Sequence, residues 1–475
     1  MNFALLSPEI AMSIWVVALV VLDLFLSDKS KSALAYVTIA GLAVTAILVG
    51  IVAGGPGTSF SGTLVVDPLS TVFQFIVLAA AAIVVLSSVD FMRRRTKYPG
   101  EFYALIVFAT LGAMFLAGSN ELITIYVAIE LTSISQYILA GFLKGDHRSS
   151  EAGLKYLLLG ALSSAVLLYG IALLFGATGT TSLPEIRQAL AADPHGPVAL
   201  LGVAFLIAGF GFKMAVVPFQ LWVPDVYQGA PTPVTAFLSV ASKAAGFVVV
   251  LRVFGTALQP ADDVWPVAFA GLAALTMTVG NIAALRQTNI KRLMGYSSIG
   301  QAGYALTGLA AASHNTTTGL IFFLIAYAAT NLGVFVAIIY FSNRLGSDDL
   351  AAYAGLGRRS PWMALALTIC LLSLVGLPPM VGFWSKVYLF LSVFDVGLVW
   401  LVVVGLLNSA VAAFYYLKIV HAMYLKPATT DVAIARDPGV AIAAVITVTV
   451  VLVAGIVPGP LIQAASSAAS VLFAQ

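Results

Sequence analysis

The chain has 475 residues, of which 61% are hydrophobic and only 9% charged, and its mean hydropathy is +1.03. An ordinary soluble domain carries about 25% charged residues, so this composition excludes a water-soluble protein and indicates one embedded in lipid. The formal net charge of +3 is too small to predict a nucleic-acid partner.

A helix needs about 20 apolar residues to cross the hydrocarbon core. The first apolar stretch, from about Ile10 to Leu26, is long for a signal-peptide core and has no basic residue before it, so we expect a retained first helix. We expect the apolar tail after Pro458 to lie along the membrane surface. The sequence as a whole predicts an all-α integral membrane protein with about fourteen transmembrane helices. They lie near 8–26, 33–53, 66–90, 101–118, 121–142, 152–176, 198–228, 232–257, 264–285, 296–311, 316–341, 361–394, 397–424 and 438–457.

The basic residues support this helix count and orient the chain. If the N-terminus faces the periplasm, the cytoplasmic connections hold 16 of the 23 lysines and arginines, whereas the periplasmic connections hold only Arg187. A wrong count would scramble this alternation, so we predict that both termini are periplasmic. The cytoplasmic set comprises Lys29, Lys31, Arg93, Arg94, Arg95, Lys97, Lys144, Arg148, Arg286, Lys291, Arg292, Arg344, Arg358, Arg359, Lys426 and Arg436.

Two of the predicted helices are too long for a simple span and are interrupted by proline. The helix at 198–228 contains Pro218, and the helix at 361–394 contains Pro378 and Pro379. Proline removes a backbone hydrogen bond, which is tolerated in lipid only where protein or water satisfies the freed carbonyls.

The two breaks correspond to each other. Pro379 follows Pro218 by 161 positions, and Tyr388 follows Tyr227 by the same interval. The helices concerned, the seventh and the twelfth, run in opposite directions, which predicts an inverted repeat and an ion path. The expected segments are a three-helix N-terminal segment at 1–100, five-helix repeats at 101–257 and 264–424, and a last helix with its tail at 438–475.

Ionisable residues inside the predicted helices are the candidate proton carriers. A charge at this depth costs at least about 2–3 kcal/mol, so such residues face a partner or a water-filled cavity. The proton affinity of a lysine depends on its burial and on nearby carboxylates, so a lysine with a movable carboxylate partner can exchange protons near neutral pH. The alternative is a set of static ion pairs between helices. The candidates are Glu130, Lys155, Lys213, Lys243 and Lys386.

Other polar residues are weaker candidates. Asp225, Lys291 and His421 are secondary, because Asp225 is equally well explained as a helix-end charge and His421 as an interface residue. Arg252 and Lys418 lie near predicted helix ends, where we expect them to snorkel to the interface.

The sequence predicts no metal site and no cofactor site. The single cysteine, Cys370, allows neither an intrachain disulfide nor a cysteine-based metal cluster, and the four histidines lack ligand spacing. A dinucleotide fingerprint, a Walker A loop and a haem motif are also absent from the sequence. Any redox centre is therefore expected in another subunit.

Four segments of the chain resemble motifs of one protein family. PFQLWVPDVYQGAPTPVTAFLSVASK, at 218–243, resembles the signature of subunit N of the proton-pumping NADH–quinone oxidoreductase, respiratory complex I. The segments at 289–304, 376–390 and 151–165 are similar to three further motifs, so the resemblance covers nearly the whole chain. It implies an antiporter-like, non-redox subunit of a proton-translocating NADH:quinone oxidoreductase, with broken seventh and twelfth helices.

The resemblance also implies roles for individual residues. The family's glutamate on the fifth helix matches Glu130, and its lysines on the sixth, seventh, eighth and twelfth helices match Lys155, Lys213, Lys243 and Lys386. These residues would form a polar axis along the membrane midplane, and quinone reduction elsewhere in the complex would shift protons along it. FMN and iron–sulfur clusters would lie in partner subunits, and quinone would bind elsewhere.

The expected partners are the other membrane-arm subunits, namely a sister antiporter-like subunit and the small membrane subunits, within a lipid bilayer. DVYQGAPTPV favours subunit N over its sisters, and the sequence continues only briefly after the fourteenth helix, without the long lateral helix of the distal sister. A transit peptide is not evident, so we expect a bacterial plasma membrane.

Three alternatives remain. The first is a stand-alone or Mrp-type cation/proton antiporter subunit, whose transport would depend on sodium. The second is a quinone-binding catalytic subunit, and the third is a structural subunit held by buried salt bridges.

Overall fold

The computed structural model of the chain describes residues 2–27, 30–428, 434 and 437–473. Lys29 and Arg436, which belong to the predicted cytoplasmic set, lie outside the described residues. The regular structure in the described ranges is helical except for a small antiparallel sheet, in which β1 (Gly57–Ser59) pairs with β2 (Leu64–Val66).

Twenty α-helices follow one another along the described chain, and two π-helical turns, Leu238–Ser242 and Val253–Ala257, flank one of them. Short 3-10 turns are found at Phe3–Leu6, Phe60–Gly62, Gln259–Ala261, Thr307–Leu309 and Leu350–Tyr353. The α-helices are α1 (Ser7–Phe25), α2 (Ala33–Ala53), α3 (Pro68–Arg95), α4 (Pro99–Gly118), α5 (Leu122–Ala140), α6 (His147–Thr178), α7 (Leu183–Leu190), α8 (Pro197–Met214), α9 (Trp222–Gly229), α10 (Thr232–Phe237), α11 (Lys243–Arg252), α12 (Trp265–Leu285), α13 (Ile290–Leu306), α14 (His314–Leu345), α15 (Leu356–Arg359), α16 (Pro361–Val375), α17 (Val381–Asp395), α18 (Val399–Leu425), α19 (Pro438–Ile456) and α20 (Gly459–Ser470).

Each of the fourteen predicted spans overlaps helical residues, and the all-α membrane fold is confirmed. Within the described ranges, 12 helices are long and apolar enough to cross a membrane. The two predicted spans outside this set are α13, with 17 residues, and the pair α16 and α17, with 15 residues each. That these two also cross the membrane stays a prediction.

Two helices begin earlier than hydropathy predicts, because side chains that cap their first turns set the start. Asp146 caps α6 by accepting from the backbone N–H of Arg148 at 2.9 Å, and Asn289 caps α13 by accepting from that of Arg292 at 3.0 Å. The first turn of each helix is polar, so an apolar window begins only beyond it.

Both predicted breaks are present. Helix α8 ends at Met214 and α9 begins at Trp222, while α16 ends at Val375 and α17 begins at Val381. The residues after the two half-helices, Ala215 (φ +62°) and Gly376 (φ +96°), are both left-handed. They are separated by the same 161 positions as the prolines, which supports the predicted repeat.

The centre of the molecule is formed by α14 and by the segment from α10 to α11. Every residue from Pro231 to Arg252 is buried, as expected for a helix that is apolar all round and packed by neighbours on every side. The tail after Pro458 forms α20, which packs against α14 and α3 through the buried Ala465, Ala468 and Ala469. That this tail also lies along the membrane surface stays a prediction.

A buried ion pair fixes α11 to the start of α3. Arg252 donates from both terminal nitrogens to Asp67, at 2.9 and 3.0 Å, and also donates to the carbonyl of Ala117 at the end of α4. The expectation that Arg252 snorkels to the interface is wrong, because its side chain is only 3% exposed. Burial alone would raise the pKa of Asp67. The positive charge of Arg252 and the hydrogen bonds from Arg252 and Ser70 outweigh the effect of burial and lower the pKa below its usual value.

Asp67→Asn is expected to destabilise the protein by about 3–5 kcal/mol, because it leaves Arg252 buried without a counter-charge. The folded-state pKa of Asp67 is lowered, so its stabilisation is present above the unfolded pKa of about 4 and is lost as pH falls through the folded pKa. Thermal unfolding of the purified protein at several pH values measures both effects. The exposed Asp262→Asn is the control, and equal stability of the Asp67 variant at neutral pH would contradict this role.

Candidate functional site

The first part of the site joins α5, α6 and α8. Glu130, half-buried on α5, accepts a hydrogen bond of 2.5 Å from the hydroxyl of Ser164 on α6. Lys213, in the last turn of α8, donates from its ammonium group to the hydroxyl of Ser133, one turn along α5 from Glu130. Lys213 therefore comes within one helical turn of Glu130, yet the two side chains form no direct salt bridge. Each is held instead by a neutral serine.

Close helix packing brings Lys213 to the central segment. A Cβ atom added at Gly246, on α11, would lie 3.2 Å from the carbonyl carbon and 3.3 Å from the Cβ of Lys213. The missing side chain therefore lets α8 approach α11 at this level. Gly246 lies one turn beyond Lys243, so the break in the seventh helix is in contact with the helix that carries the next lysine.

Lys243 is 3% exposed and directly follows the π-helical turn Leu238–Ser242, a feature often found at functional sites. Its ammonium group donates to the hydroxyl of Ser298 on α13 at 2.5 Å and to the carbonyl of the same residue. The hydroxyl groups of Tyr227 and Tyr327 each lie 3.2 Å from the Ser298 hydroxyl. The ring centre of Tyr327 is 5.7 Å from the ammonium nitrogen. The partners of Lys243 are thus neutral oxygens and an aromatic ring.

Lys386, on α17, satisfies the backbone carbonyls that the second break leaves free. Its ammonium nitrogen lies 3.0 Å from the carbonyl oxygens of both Leu374 and Val375, at the end of α16. The carbonyl end of a helix carries a partial negative charge and favours a cation there. The ring centre of Tyr304 lies 4.5 Å from the same nitrogen, which adds a cation–π contact. Lys386 is 6% exposed.

A small cavity of about 10 Å³ lies between the Lys243 and Lys386 sites, which is room for about one water molecule. Tyr327, which is in contact with Lys243 and Ser298, forms part of its wall, and so does Lys386. The remaining polar wall residues are Gln301, Thr330, Ser373 and Ser385.

Neutral polar side chains extend from this cavity into α12 and α18. The hydroxyl of Tyr415 donates to Asn281 at 2.9 Å, and Gln301 donates to the hydroxyl of Tyr416 at 3.2 Å. The sequence analysis missed these residues and Ser298 as site residues. The signal was present in the motif at 289–304, which contains Ser298 and Gln301.

Lys155 and Asp225 are brought together, but away from Lys213. The ammonium group of Lys155 lies 2.8 Å from Asp225 and 2.7 Å from Glu151, and Asp225 also pairs with Arg292 at 2.6 Å. The Lys155 side chain is 42% exposed. It precedes Ser164, the partner of Glu130, by nine positions on α6, which corresponds to about 13 Å along the helix axis. This cluster has the form of a static link between α6, α9 and α13.

The other secondary candidates, Lys291 and His421, also lie away from the contacts of Lys213, Lys243 and Lys386. Lys291, at the start of α13, is 4% exposed and donates to the carbonyl of Ala230 at 2.7 Å, with Asp348 at 3.6 Å. It forms the floor of a polar cavity of about 360 Å³. His421 is exposed on α18.

Four buried acids among the described residues were not recognised from the sequence, namely Glu9, Asp23, Asp67 and Asp90. Glu9, on α1, is 6% exposed and accepts a hydrogen bond of 2.7 Å from Gln74 on α3. Because it stands in the first turn of the first helix, its position in the sequence resembles that of an interfacial charge.

At the first break an aromatic side chain donates to a freed backbone carbonyl. The indole N–H of Trp222 donates to the carbonyl of Phe212 at 3.1 Å, and the indole ring stacks on Tyr156 with 4.4 Å between ring centres. Thr276, on α12, accepts from the backbone N–H of Val217 at 3.1 Å. Backbone groups freed by the break are thus paired within the protein, as lipid requires.

Comparisons with known proteins agree on one family. Residues 119–412 match the family described as NADH:quinone oxidoreductase/Mrp antiporter, transmembrane. The chain is 44% identical to NADH-quinone oxidoreductase subunit N of Moorella thermoacetica, over 99% of each protein.

Two solved structures are similar in fold. A chain of respiratory complex I from Thermus thermophilus gives a TM-score of 0.82 at 35% identity, with 96% of this chain and 98% of that chain covered. A chain of the Mrp complex from Dietzia sp. DQ12-45-1b gives a TM-score of 0.88 at 21% identity, with 100% and 98% covered. At that identity the likeness concerns the fold alone.

Trp222→Phe is expected to destabilise the protein by at least about 1 kcal/mol, because the Phe212 carbonyl loses a hydrogen bond inside the membrane and the smaller ring stacks less well on Tyr156. The control is Trp362→Phe, since Trp362 is 77% exposed. Thermal unfolding of both variants is the measurement. Equal unfolding temperatures would show that the Trp222 indole does not hold the break together.

Proposed function

This chain belongs to the family of NADH-quinone oxidoreductase subunit N, and from that premise we propose that it translocates protons in the membrane arm of a respiratory complex I. The protons pass along a line of residues from Glu130 through Lys213 and Lys243 to Lys386. The chain contributes no redox chemistry of its own and acts as the non-redox part of a translocase.

The observation that carries this proposal is the pairing of two buried lysines with neutral groups. Lys243 contacts Ser298 and Tyr327, and Lys386 contacts backbone carbonyls and Tyr304. An ammonium group held by a carboxylate keeps its proton, whereas one held only by neutral groups in a buried site loses it at much smaller cost. These two lysines therefore suit proton exchange.

The first half of the line is where proton occupancy would be controlled. Glu130 stabilises the charged form of Lys213 when the two approach, and the Ser164 and Ser133 hydroxyls hold them when they separate. A carboxylate that can pair with the lysine or leave it changes the proton affinity of that lysine. Coupling to quinone reduction elsewhere in the complex would act through this contact.

From Lys243 onward the proton would pass through hydroxyl groups and water. Ser298 and Tyr327 connect Lys243 to the cavity that Lys386 lines, and one water there would complete the connection. Static pairs such as Lys155 with Asp225 lie outside this line and, in our proposal, support the helices.

The partners follow from the same premise. FMN, the iron–sulfur clusters and bound quinone belong to other subunits, and this chain contacts a sister antiporter-like subunit and the small membrane subunits. The relatives named above come from bacteria, which supports a plasma-membrane location. The distribution of basic residues supports periplasmic termini.

A cation/proton antiporter subunit is the second candidate, and the fold of the Dietzia Mrp chain is the observation in its favour. The 44% identity to a subunit N favours the first proposal. Sodium dependence of proton transport by the purified protein discriminates between them, because only the antiporter requires sodium.

Glu130→Gln is expected to lower proton pumping and quinone reduction together, several-fold, because the neutral amide cannot stabilise the charged form of Lys213. Both rates are measured in reconstituted complex, with subunit content as the assembly check. The exposed Glu185→Gln is the matched control. If both rates are unchanged in the Glu130 variant, Glu130 is a structural charge and the line must begin elsewhere.

Ser298→Ala is expected to reduce coupled turnover about tenfold, which corresponds to one hydrogen bond of about 1.5 kcal/mol to a charged group. The variant removes the hydroxyl that Lys243, Tyr227 and Tyr327 share. Ser392→Ala is the control, because Ser392 is equally buried and its hydroxyl bonds to its own helix. Normal turnover after loss of the Ser298 hydroxyl would contradict its place in the line.

A further inference from the structure

We propose that a basic cleft between the α3–α4 and α5–α6 connections binds the headgroup of an anionic phospholipid. This site is separate from the proton line, since none of the line's residues contributes to it. The failure of either proposal would therefore leave the other standing.

The cleft has a volume of about 1050 Å³ and gathers basic residues from two connections. Four of them come from the end of α3 and the turn after it, and the fifth comes from the opposite wall. All five are exposed. They are Arg93, Arg94, Arg95, Lys97 and Lys144.

The acidic residues nearby do not neutralise this charge. Glu101 and Asp146 line the cleft, and Asp146 is engaged in capping α6. Asp90 pairs with Arg93 at 2.7 Å and Arg94 at 2.9 Å, but it also pairs with a third guanidinium, that of Arg344. One carboxylate shared by three guanidinium groups leaves an excess of positive charge at the cleft.

The remaining wall is apolar and continues toward the lipid-facing surface. Tyr98 is 57% exposed and Ile138 is 51% exposed, and Leu105 and Phe142 also line the cleft. Tyrosine is favoured at the level of lipid headgroups. A cleft that combines cations with an exposed apolar wall fits a phosphate attached to acyl chains, whereas free phosphate would use only the cations.

The position in the membrane agrees with this occupant. The cleft lies at the end of the bundle that carries most of the basic residues, which the distribution of charge assigns to the cytoplasmic side. Basic pockets between transmembrane helices on that side bind anionic lipid headgroups, and each basic residue strengthens binding about fivefold.

The test uses the intact complex in vesicles of phosphatidylcholine that contain a photoactivatable phosphatidylglycerol. After illumination, labelled peptides are mapped by mass spectrometry. Label is expected on peptides covering 93–105 and 138–146. Unlabelled phosphatidylglycerol should compete with it, while phosphatidylcholine and inorganic phosphate should not. The triple variant Arg95→Gln, Lys97→Gln, Lys144→Gln should reduce the label at least about tenfold.

A matched triple variant removes the same number of charges elsewhere. Arg286→Gln, Arg358→Gln, Lys426→Gln changes exposed basic residues of the same predicted side and should keep the label. Equal labelling of the cleft variant, or competition by phosphatidylcholine, would overturn the proposal. So would competition by inorganic phosphate, which indicates a soluble anion, or a lack of label at the cleft in the assembled complex, which indicates a protein partner there.

Discussion

The absence of water in the hydrocarbon core is the constraint on which this structure depends. Bulk water does not reach a backbone carbonyl freed by a broken helix there, so a protein donor or a buried water has to satisfy it. At the second break the donor is the ammonium group of Lys386, 3.0 Å from two carbonyls at the end of α16. The carbonyls that the break frees bind the ammonium group of Lys386, and this group supplies the hydrogen bonds that the carbonyls would otherwise lack. Neither feature would be stable in lipid without the other.

Different side chains satisfy the freed backbone carbonyls at the two breaks. By the interval of 161 positions that relates the breaks, Lys386 corresponds to Asp225 and Lys213 corresponds to Leu374. In the first half the indole of Trp222 donates to a freed carbonyl, and the lysine lies before the break beside Glu130 and Ser133. The interval therefore relates unlike side chains, and in our proposal the first half contains a carboxylate that regulates a lysine, whereas the second half contains a lysine among neutral groups.

Hydropathy and proline positions predicted the helical segments and both breaks, because burial in lipid acts on every residue of a helix and is visible locally. Helix starts were less predictable, since the capping of α13 by Asn289 depends on one side chain. The partners of charges were not predictable, because Arg252 and Asp67 are 185 positions apart. Ser298 was missed because a serine in an apolar helix can bond to its own backbone, and only the fold shows that Lys243 reaches it.

The contacts of each charged side chain distinguish the charges that hold helices together from those that the proposal assigns to proton transfer. Arg252 is bound by a bidentate carboxylate and a carbonyl, so its position is fixed. Lys155 has two carboxylates and is partly hydrated, which also fixes its charge. Lys243 and Lys386 are buried and contact only neutral oxygens and aromatic rings, which is why the proposal assigns them to proton transfer. A chain that uses both kinds of site can hold its helices rigidly while the proton moves.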